Sequence, residues 1–315
     1  MDQLYSAAPA GSDFSPFKRA PMFMSSAADE AQSVRCDLCP NYCVIKNGEF
    51  GMCGVRGNKS GIGIIPFYGF ISSLASDPIE KKPLYHFKPG TSILSLGFAG
   101  CNLRCPFCQN WQISQLKRRS ENNGIPGRWM QPDEVVSAAL KCNSPSIAYT
   151  YSEPLVHIEY VLDCMALARR HGIANVLVTN GCVNTKAAGE ILKLTDAVNA
   201  DLKCFSAEVY QKTLGGTSTG NLFQAVLDFI RLCSNMGVHL EVTTLVVPDL
   251  NDSKEELDAV TDFIASVNKD IPFHLTAYHP DYRWNAPPTN PAFLRNAAKE
   301  AEKKLTHVHT GNIRI

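Results

Sequence analysis

From Ser92 onward short apolar runs alternate with amphipathic stretches, and this alternation narrows the possible folds more than any other feature of the chain. Strand-like runs fall at 92–99, 146–150, 174–179, 196–202, 239–247, 272–277 and 306–309. Helical patterns lie between them, at about 132–141, 155–170, 185–194, 207–213, 221–236, 253–267 and 291–304. Start signals support three of these helices: Asp133 in Gln-Pro-Asp-Glu, Asn221 after Gly220, and Asp252-Ser253 ahead of Lys-Glu-Glu. Such alternation implies right-handed βαβ units and an α/β fold with a parallel sheet. It fits a barrel or an open sheet, and in both the ligand sits at the carboxyl ends of the strands.

The first of those ends carries Cys101-Asn-Leu-Arg-Cys105-Pro-Phe-Cys108, spaced CxxxCxxC. Each iron of a four-iron cluster offers one outward position, and thiolates ordinarily fill all of them. Here the loop supplies three, which leaves a position for a ligand or substrate, as in catalytic rather than structural zinc sites. Phe107 would shield such a cluster from water. A zinc loop or three buried thiols is the competing reading of the spacing. Later strand ends add polar groups. Thr150-Tyr-Ser-Glu-Pro presents Ser152 and Glu153, and Val178-Thr179-Asn180-Gly181 offers two polar side chains and a permissive glycine. Asp201 and Lys203, two residues apart in a strand, point to one face and suit a zwitterion.

A second group, Cys36, Cys39, Cys43 and Cys53, follows CxxCxxxCx9C, with Gly48, Gly51 and Gly54 supplying turns. Four thiolates leave no open position, so this site is closed and holds either structural zinc or an auxiliary iron–sulfur cluster; free thiols are the remaining reading. Cys142, Cys164, Cys182, Cys204 and Cys233 read as small buried hydrophobes.

The 315 residues suffice for one barrel-sized domain or two smaller ones. Lys+Arg and Asp+Glu both number 30, so no general attraction to nucleic acid or an anionic membrane is expected. Met1 to Arg35 hold no apolar run long enough for a signal peptide, and no run reaches the ~18 apolar residues of a membrane span. With twelve cysteines, this points to a reducing, cytoplasmic setting in which clustered thiols bind metal. The expected organisation is a flexible leader over 1–34 with Phe14, Phe17 and Phe23 as docking residues, a cysteine-rich module and connector over 35–90, and a core over 91–315.

The CxxxCxxC loop resembles that of the radical S-adenosylmethionine (SAM) superfamily. Further segments resemble the radical SAM member of the AmmeMemoRadiSam group, a relative of pyruvate formate-lyase activating enzymes. They are Cys36-Asp-Leu-Cys-Pro, Asp77-Pro-Ile-Glu-Lys-Lys-Pro-Leu-Tyr-His-Phe, Cys108-Gln-Asn-Trp-Gln-Ile-Ser, Thr150-Tyr-Ser-Glu-Pro and His279-Pro-Asp-Tyr. The resemblance implies a partial (β/α)6 TIM-like barrel and a 4Fe-4S cluster on Cys101, Cys105 and Cys108. It also implies SAM bound at the unique iron through its amino and carboxylate groups. Reductive cleavage of SAM would then give methionine and a 5′-deoxyadenosyl radical that abstracts hydrogen.

By the same resemblance Phe107, Gln109, Ser152, Glu153, Thr179, Asn180, Asp201, Lys203 and His274 are cofactor-binding, with His279 second to His274. Tyr-Ser-Glu-Pro matches the family's Gly-Gly-Glu-Pro only in part. The implied partners are an electron donor such as flavodoxin or ferredoxin and either a glycyl-radical enzyme or Memo-like and AMMECR-like proteins. Three functions follow: hydrogen abstraction from a protein or peptide, including glycyl-radical activation; modification of a small molecule or nucleic acid with those partners; and a non-catalytic iron–sulfur adaptor.

Overall fold

The computed structural model describes residues 17–27, 32–116, 125–218 and 220–313. Its frame is one eight-stranded sheet whose strands lie side by side in chain order. They are β1 (Ser73–Pro78), β2 (Ser92–Gly97), β3 (Ser146–Thr150), β4 (Ala174–Thr179), β5 (Ala197–Asp201), β6 (His239–Val246), β7 (Phe273–Ala277) and β8 (Val308–Gly311). Every adjacent pair from β2 to β8 is parallel, whereas β1 runs antiparallel along β2 with Ser73 opposite Gly97. This is the partial barrel expected, but its parallel ladder is longer than six strands: eight less the antiparallel edge leaves seven.

Helices cover the outer face: α1 (Pro132–Lys141), α2 (Ile158–Arg170), α3 (Thr185–Leu192), α4 (Leu222–Asn235), α5 (Lys254–Val267) and α6 (Pro291–Ala301), with a short helix Ala207–Lys212 before α4. Their apolar faces follow the helical period; on α4, Val226, Phe229, Ile230 and Cys233 are all buried. Asn221 caps α4 by accepting from Gln224 N at 2.9 Å, and Ser253 caps α5 by accepting from Glu256 N at 3.2 Å. At α1 the cap is Gln131 rather than Asp133, with Glu134 reaching back to its amide at 2.6 Å. Cys164, Cys182, Cys204 and Cys233 are buried as expected, but Cys142 is exposed, because it caps the solvent end of α1.

The segment between β1 and β2 folds under the barrel and plugs its amino-terminal mouth. Asn199 Nδ2 donates to the Pro83 carbonyl at 2.8 Å, while the amides of Tyr85 and His86 donate to the Glu241 carboxylate at 3.0 and 2.9 Å. At the other mouth, strands Met24–Ser26, Val34–Cys36 and Val44–Ile45 pair as a small antiparallel sheet that carries the first cysteines. Residues 24–26 thus pair with the cysteine module, although they fall within the expected leader. Phe17 lies over Gly69, where a Cβ would meet its ring at 2.8 Å, and Phe23 packs on the core; Phe14 lies outside the described residues. The module is fastened by Arg56, 1% exposed, whose guanidinium donates to both oxygens of the buried Glu159 at 2.8 and 2.9 Å.

Candidate active site at the carboxyl rim of the sheet

Beyond β2 the chain must reverse sharply to bring three thiols over the rim. Gly100 makes the turn at φ +79°, where a side chain would be strained, and a Cβ there would lie 2.4 Å from the Cys53 carbonyl oxygen. His157 fixes the approach, with Nε2 donating to the Ala99 carbonyl at 2.6 Å and its ring stacked on Phe98. Burial pushes its pKa down to about 4, so it is a neutral strut.

Cys101, Cys105 and Cys108 are free thiols that open onto one cavity of about 360 Å³. Cys101 Sγ accepts from Leu103 N at 3.3 Å and faces Asn180 Nδ2 at 3.7 Å; Cys108 Sγ lies 3.2 Å from Ser114 Oγ. Burial raises the Cys101 thiol well above its ordinary range, and the Glu153 charge adds to this. Burial likewise pushes Cys105 up to about 12, opposed by the Lys203 cation. Such thiols release their protons only to a strongly cationic centre, which coordinated iron provides.

Glu153 lies on the cavity wall, yet is only 1% exposed. Its oxygens accept from Thr179 Oγ1 at 2.7 Å, Asn180 N at 2.8 Å and Leu155 N at 3.0 Å. Burial nevertheless pushes its pKa up to about 7, with Asp201 adding to the rise. A cationic ammonium placed against it would restore the charge. Across the cavity Asp201 and Lys203 form a 2.7 Å ion pair, and Lys203 is raised despite burial because Asp201 and Cys105 face it. Ser152 Oγ is buried on the same wall without a hydrogen-bond partner, as suits a group that receives a polar ligand. These donors, acceptors and thiols fit an iron–sulfur cluster with a zwitterionic ligand beside it.

Phe107, Gln109, Ser152, Glu153, Asn180, Asp201 and Lys203 therefore share the cavity with the three thiols. Thr179 does not line it and instead holds Glu153 from behind. His274 is a correction. It is the second residue of β7, so it lies at the amino-terminal mouth, where its Nε2 is 2.6 Å from Glu241 Oε2 and its ring stacks on His309. His279 is exposed beside the Asn312 carbonyl, 3.2 Å away.

Sequence reasoning assigned no role to Tyr151, Asp77 or Lys82. Tyr151 holds φ +67°, unusual for a bulky residue, and lines the cavity while its hydroxyl donates to Asp77 Oδ2 at 2.6 Å. Lys82 Nζ donates to the same oxygen at 2.8 Å and to the Tyr151 hydroxyl at 3.2 Å. Their signal lay in the Asp77–Phe87 and Thr150–Pro154 segments, whose family resemblance carried no role for these side chains.

The four amino-terminal thiols stand outside this cavity. Among the described residues they form no disulfide, and Cys36, Cys43 and Cys53 each raise the Cys39 thiol further after burial has raised it; Cys53 itself is pushed up to about 11.

The profile of the radical SAM superfamily matches residues 96–264, more than half of the chain, and the protein belongs to that superfamily. Membership brings a 4Fe-4S cluster and SAM as cofactors. An uncharacterised protein of Methanocaldococcus jannaschii is 39% identical over 298 residues, 94% of this chain and 85% of its own length. The pyruvate formate-lyase-activating enzyme of Clostridium pasteurianum is 26% identical over 191 residues, 58% of this chain and 73% of that enzyme. Among solved structures, Streptococcus suis SuiB bound to S-adenosylmethionine aligns with a TM-score of 0.51 at 15% identity, covering 69% of this chain and 51% of SuiB. TYW1 with a lysine–pyruvate adduct aligns at 0.52 and 14% identity, covering 74% and 83%.

Proposed function

We propose that this protein cleaves SAM reductively with a cluster on Cys101, Cys105 and Cys108, and uses the resulting radical to take hydrogen from a substrate. The observation that carries this is the convergence of three free thiols, Glu153, and the Asp201–Lys203 pair on one cavity. When bound, the cofactors supply a low-potential electron and a SAM sulfonium that accepts it. The chain does the rest. Glu153 would accept from the SAM ammonium, the unpartnered Ser152 Oγ would donate to one of its polar atoms, and Lys203 with Asp201 would hold the other charged end; Asn180 lines the cavity with its Nδ2 engaged by Asn102 Oδ1 and Cys101 Sγ. Phe107, 3% exposed, keeps water from the thiols.

The substrate is a protein or peptide, in the sharpest version the glycine of a glycyl-radical enzyme; the 26% identity to a pyruvate formate-lyase-activating enzyme supports this. The second reading, favoured by the Asp77–Phe87 and His279–Tyr282 segments, places the chain in the AmmeMemoRadiSam group. It would then act with Memo-like and AMMECR-like partners on a small molecule or nucleic acid. In both, a flavodoxin or ferredoxin donates electrons in the cytoplasm; among the described residues no helix is long and apolar enough to cross a membrane. A non-catalytic adaptor would need no SAM.

Anaerobically reconstituted, reduced protein is expected to turn SAM into methionine and 5′-deoxyadenosine, and Cys101→Ala, Cys105→Ala and Cys108→Ala are each expected to abolish this. Undiminished turnover in all three variants would refute the assignment.

A further inference from the structure

The four-thiol module touches the three-thiol loop at its ligand-bearing segments. Asn41, two residues beyond Cys39, donates through Nδ2 to the carbonyl of Asn102, next to Cys101, at 3.0 Å. Asn102 Oδ1 accepts from Asn180 Nδ2 at 2.9 Å, the amide that also faces Cys101 Sγ. On the other side the Arg104 guanidinium donates to the carbonyl of Met52, adjacent to Cys53. Gly100, immediately before Cys101, packs against the Cys53 carbonyl with no room for a side chain. A remote structural staple would require none of these contacts.

A separate observation bears on what the module holds. Arg56 is 1% exposed and lies within electrostatic reach of Cys36 and Cys53. Its terminal nitrogens are occupied by Glu159 and the Met22 carbonyl, but its Nε is buried without a partner. An orphaned cationic N–H beside two thiols suits an anionic, sulfur-rich core that presents further acceptors. The four thiols are also mutual neighbours, since Cys36, Cys43 and Cys53 all act electrostatically on Cys39.

We propose that Cys36, Cys39, Cys43 and Cys53 hold a redox-active iron–sulfur cluster that exchanges electrons with the Cys101–Cys105–Cys108 centre. The proposal rests on the SAM-cleaving reading above. One electron from a reduced flavodoxin or ferredoxin-type donor converts a ferric iron of the four-thiolate cluster to ferrous. The same electron then moves to the three-cysteine centre, the first cluster returns to its oxidised state, and no bond or proton moves.

The test uses full-length holoprotein prepared anaerobically, with iron, zinc and sulfide analysis and electron paramagnetic resonance after dithionite reduction. Cys36→Ser/Cys39→Ser is expected to lose about half of the iron, as for two clusters of equal size. The wild-type spectrum is expected to carry a spin–spin splitting missing from that variant and from Cys101→Ala/Cys105→Ala. Zinc at one equivalent in the wild type overturns the proposal even where the variants fail to fold. So does a wild-type spectrum that is the plain sum of the two variants. Coupled clusters without SAM cleavage would sink the functional reading alone, whereas SAM cleavage by a zinc-containing protein would sink only this one.

Discussion

Glu153 and Glu241 are both buried, one near each mouth of the barrel, and their surroundings drive their carboxyls in opposite directions. At the carboxyl mouth Glu153 is raised to about 7, because burial and the Asp201 charge outweigh its three hydrogen-bond donors. At the amino mouth burial would also raise Glu241, but His239 and His274 at 2.9 and 2.6 Å and the amides of Tyr85 and His86 hold it well below the carboxylate range. Glu241 has every lone pair engaged by the protein and clamps the plug. Glu153 stands beside an open cavity and the orphaned Ser152 hydroxyl, and its charge is incomplete until a cation arrives. Under the proposed function the first carboxylate is a structural part and the second, beside the cavity, a binding part.

The largest effect expected from breaking this contrast comes from Glu241→Ala. It strips the partners from two backbone amides and two imidazoles, and loss of such buried bonds costs about 3 kcal/mol. A fall in Tm of several degrees is expected, with SAM affinity retained by the folded fraction. Loss of SAM affinity at full stability would reverse the roles of the two mouths.

Next in size, Glu153→Ala, Asp201→Ala and Lys203→Ala are each expected to weaken SAM binding while sparing the cluster spectrum. A hydrogen bond to a charged ligand is worth ~1.5–3 kcal/mol, or roughly one to two decades in Kd. His274→Ala, at the other mouth, should leave Kd unchanged. Calorimetric titration of the four variants measures the contrast, and equal losses in all four would erase it.

The pH dependence is the smallest effect and separates the two mouths by sign. His86 and His309 have pKa values below 6.5, lowered chiefly by burial, with neighbouring imidazoles adding to the effect. Their Nε2 atoms are 2.9 Å apart, and the His86 ring lies 4.5 Å from that of His307. Below about 6.5 the unfolded chain therefore takes up protons first, so their contribution to stability is present above that pH and is lost as pH falls. Glu153 acts in the other direction, because its folded pKa lies above 4.5. The folded state holds the proton more tightly, so its contribution is present at low pH and is lost as pH rises toward 7. Replacing His86 and His309 by Gln should flatten the acid-side loss of Tm. SAM affinity should meanwhile fall as pH drops through about 7 and Glu153 protonates. An affinity independent of pH between about 6 and 8 would remove Glu153 from the ligand.

Most spans of strand and helix were legible in the sequence, because local periodicity decides them: β3 and β4 occupy 146–150 and 174–179 as read, and α1 occupies 132–141. The thiol spacing of Cys101, Cys105 and Cys108 was legible for the same reason, since one loop carries all three. Strand β1 was missed. Ser73-Leu-Ala-Ser-Asp-Pro has no apolar alternation, and its place as an antiparallel edge comes from pairing with β2. His274 was assigned to the wrong mouth because its order in the chain resembled a family segment, whereas its place at the start of β7 puts it on the opposite side from every strand end.

Convergence is what only the tertiary structure decided. Glu241 gathers His239 and His274 with the amides of Tyr85 and His86, groups more than 150 residues apart in part, because the plug folds under the run of parallel strands. Asn41 meets Asn102, and Gly100 meets Cys53, only because the cysteine module docks on the rim. Local residue order sets which side chains a strand end or loop presents. Long-range packing sets which of them share a cavity, a proton or a hydrogen bond, since those energies depend on distances between segments that the order of the chain leaves free.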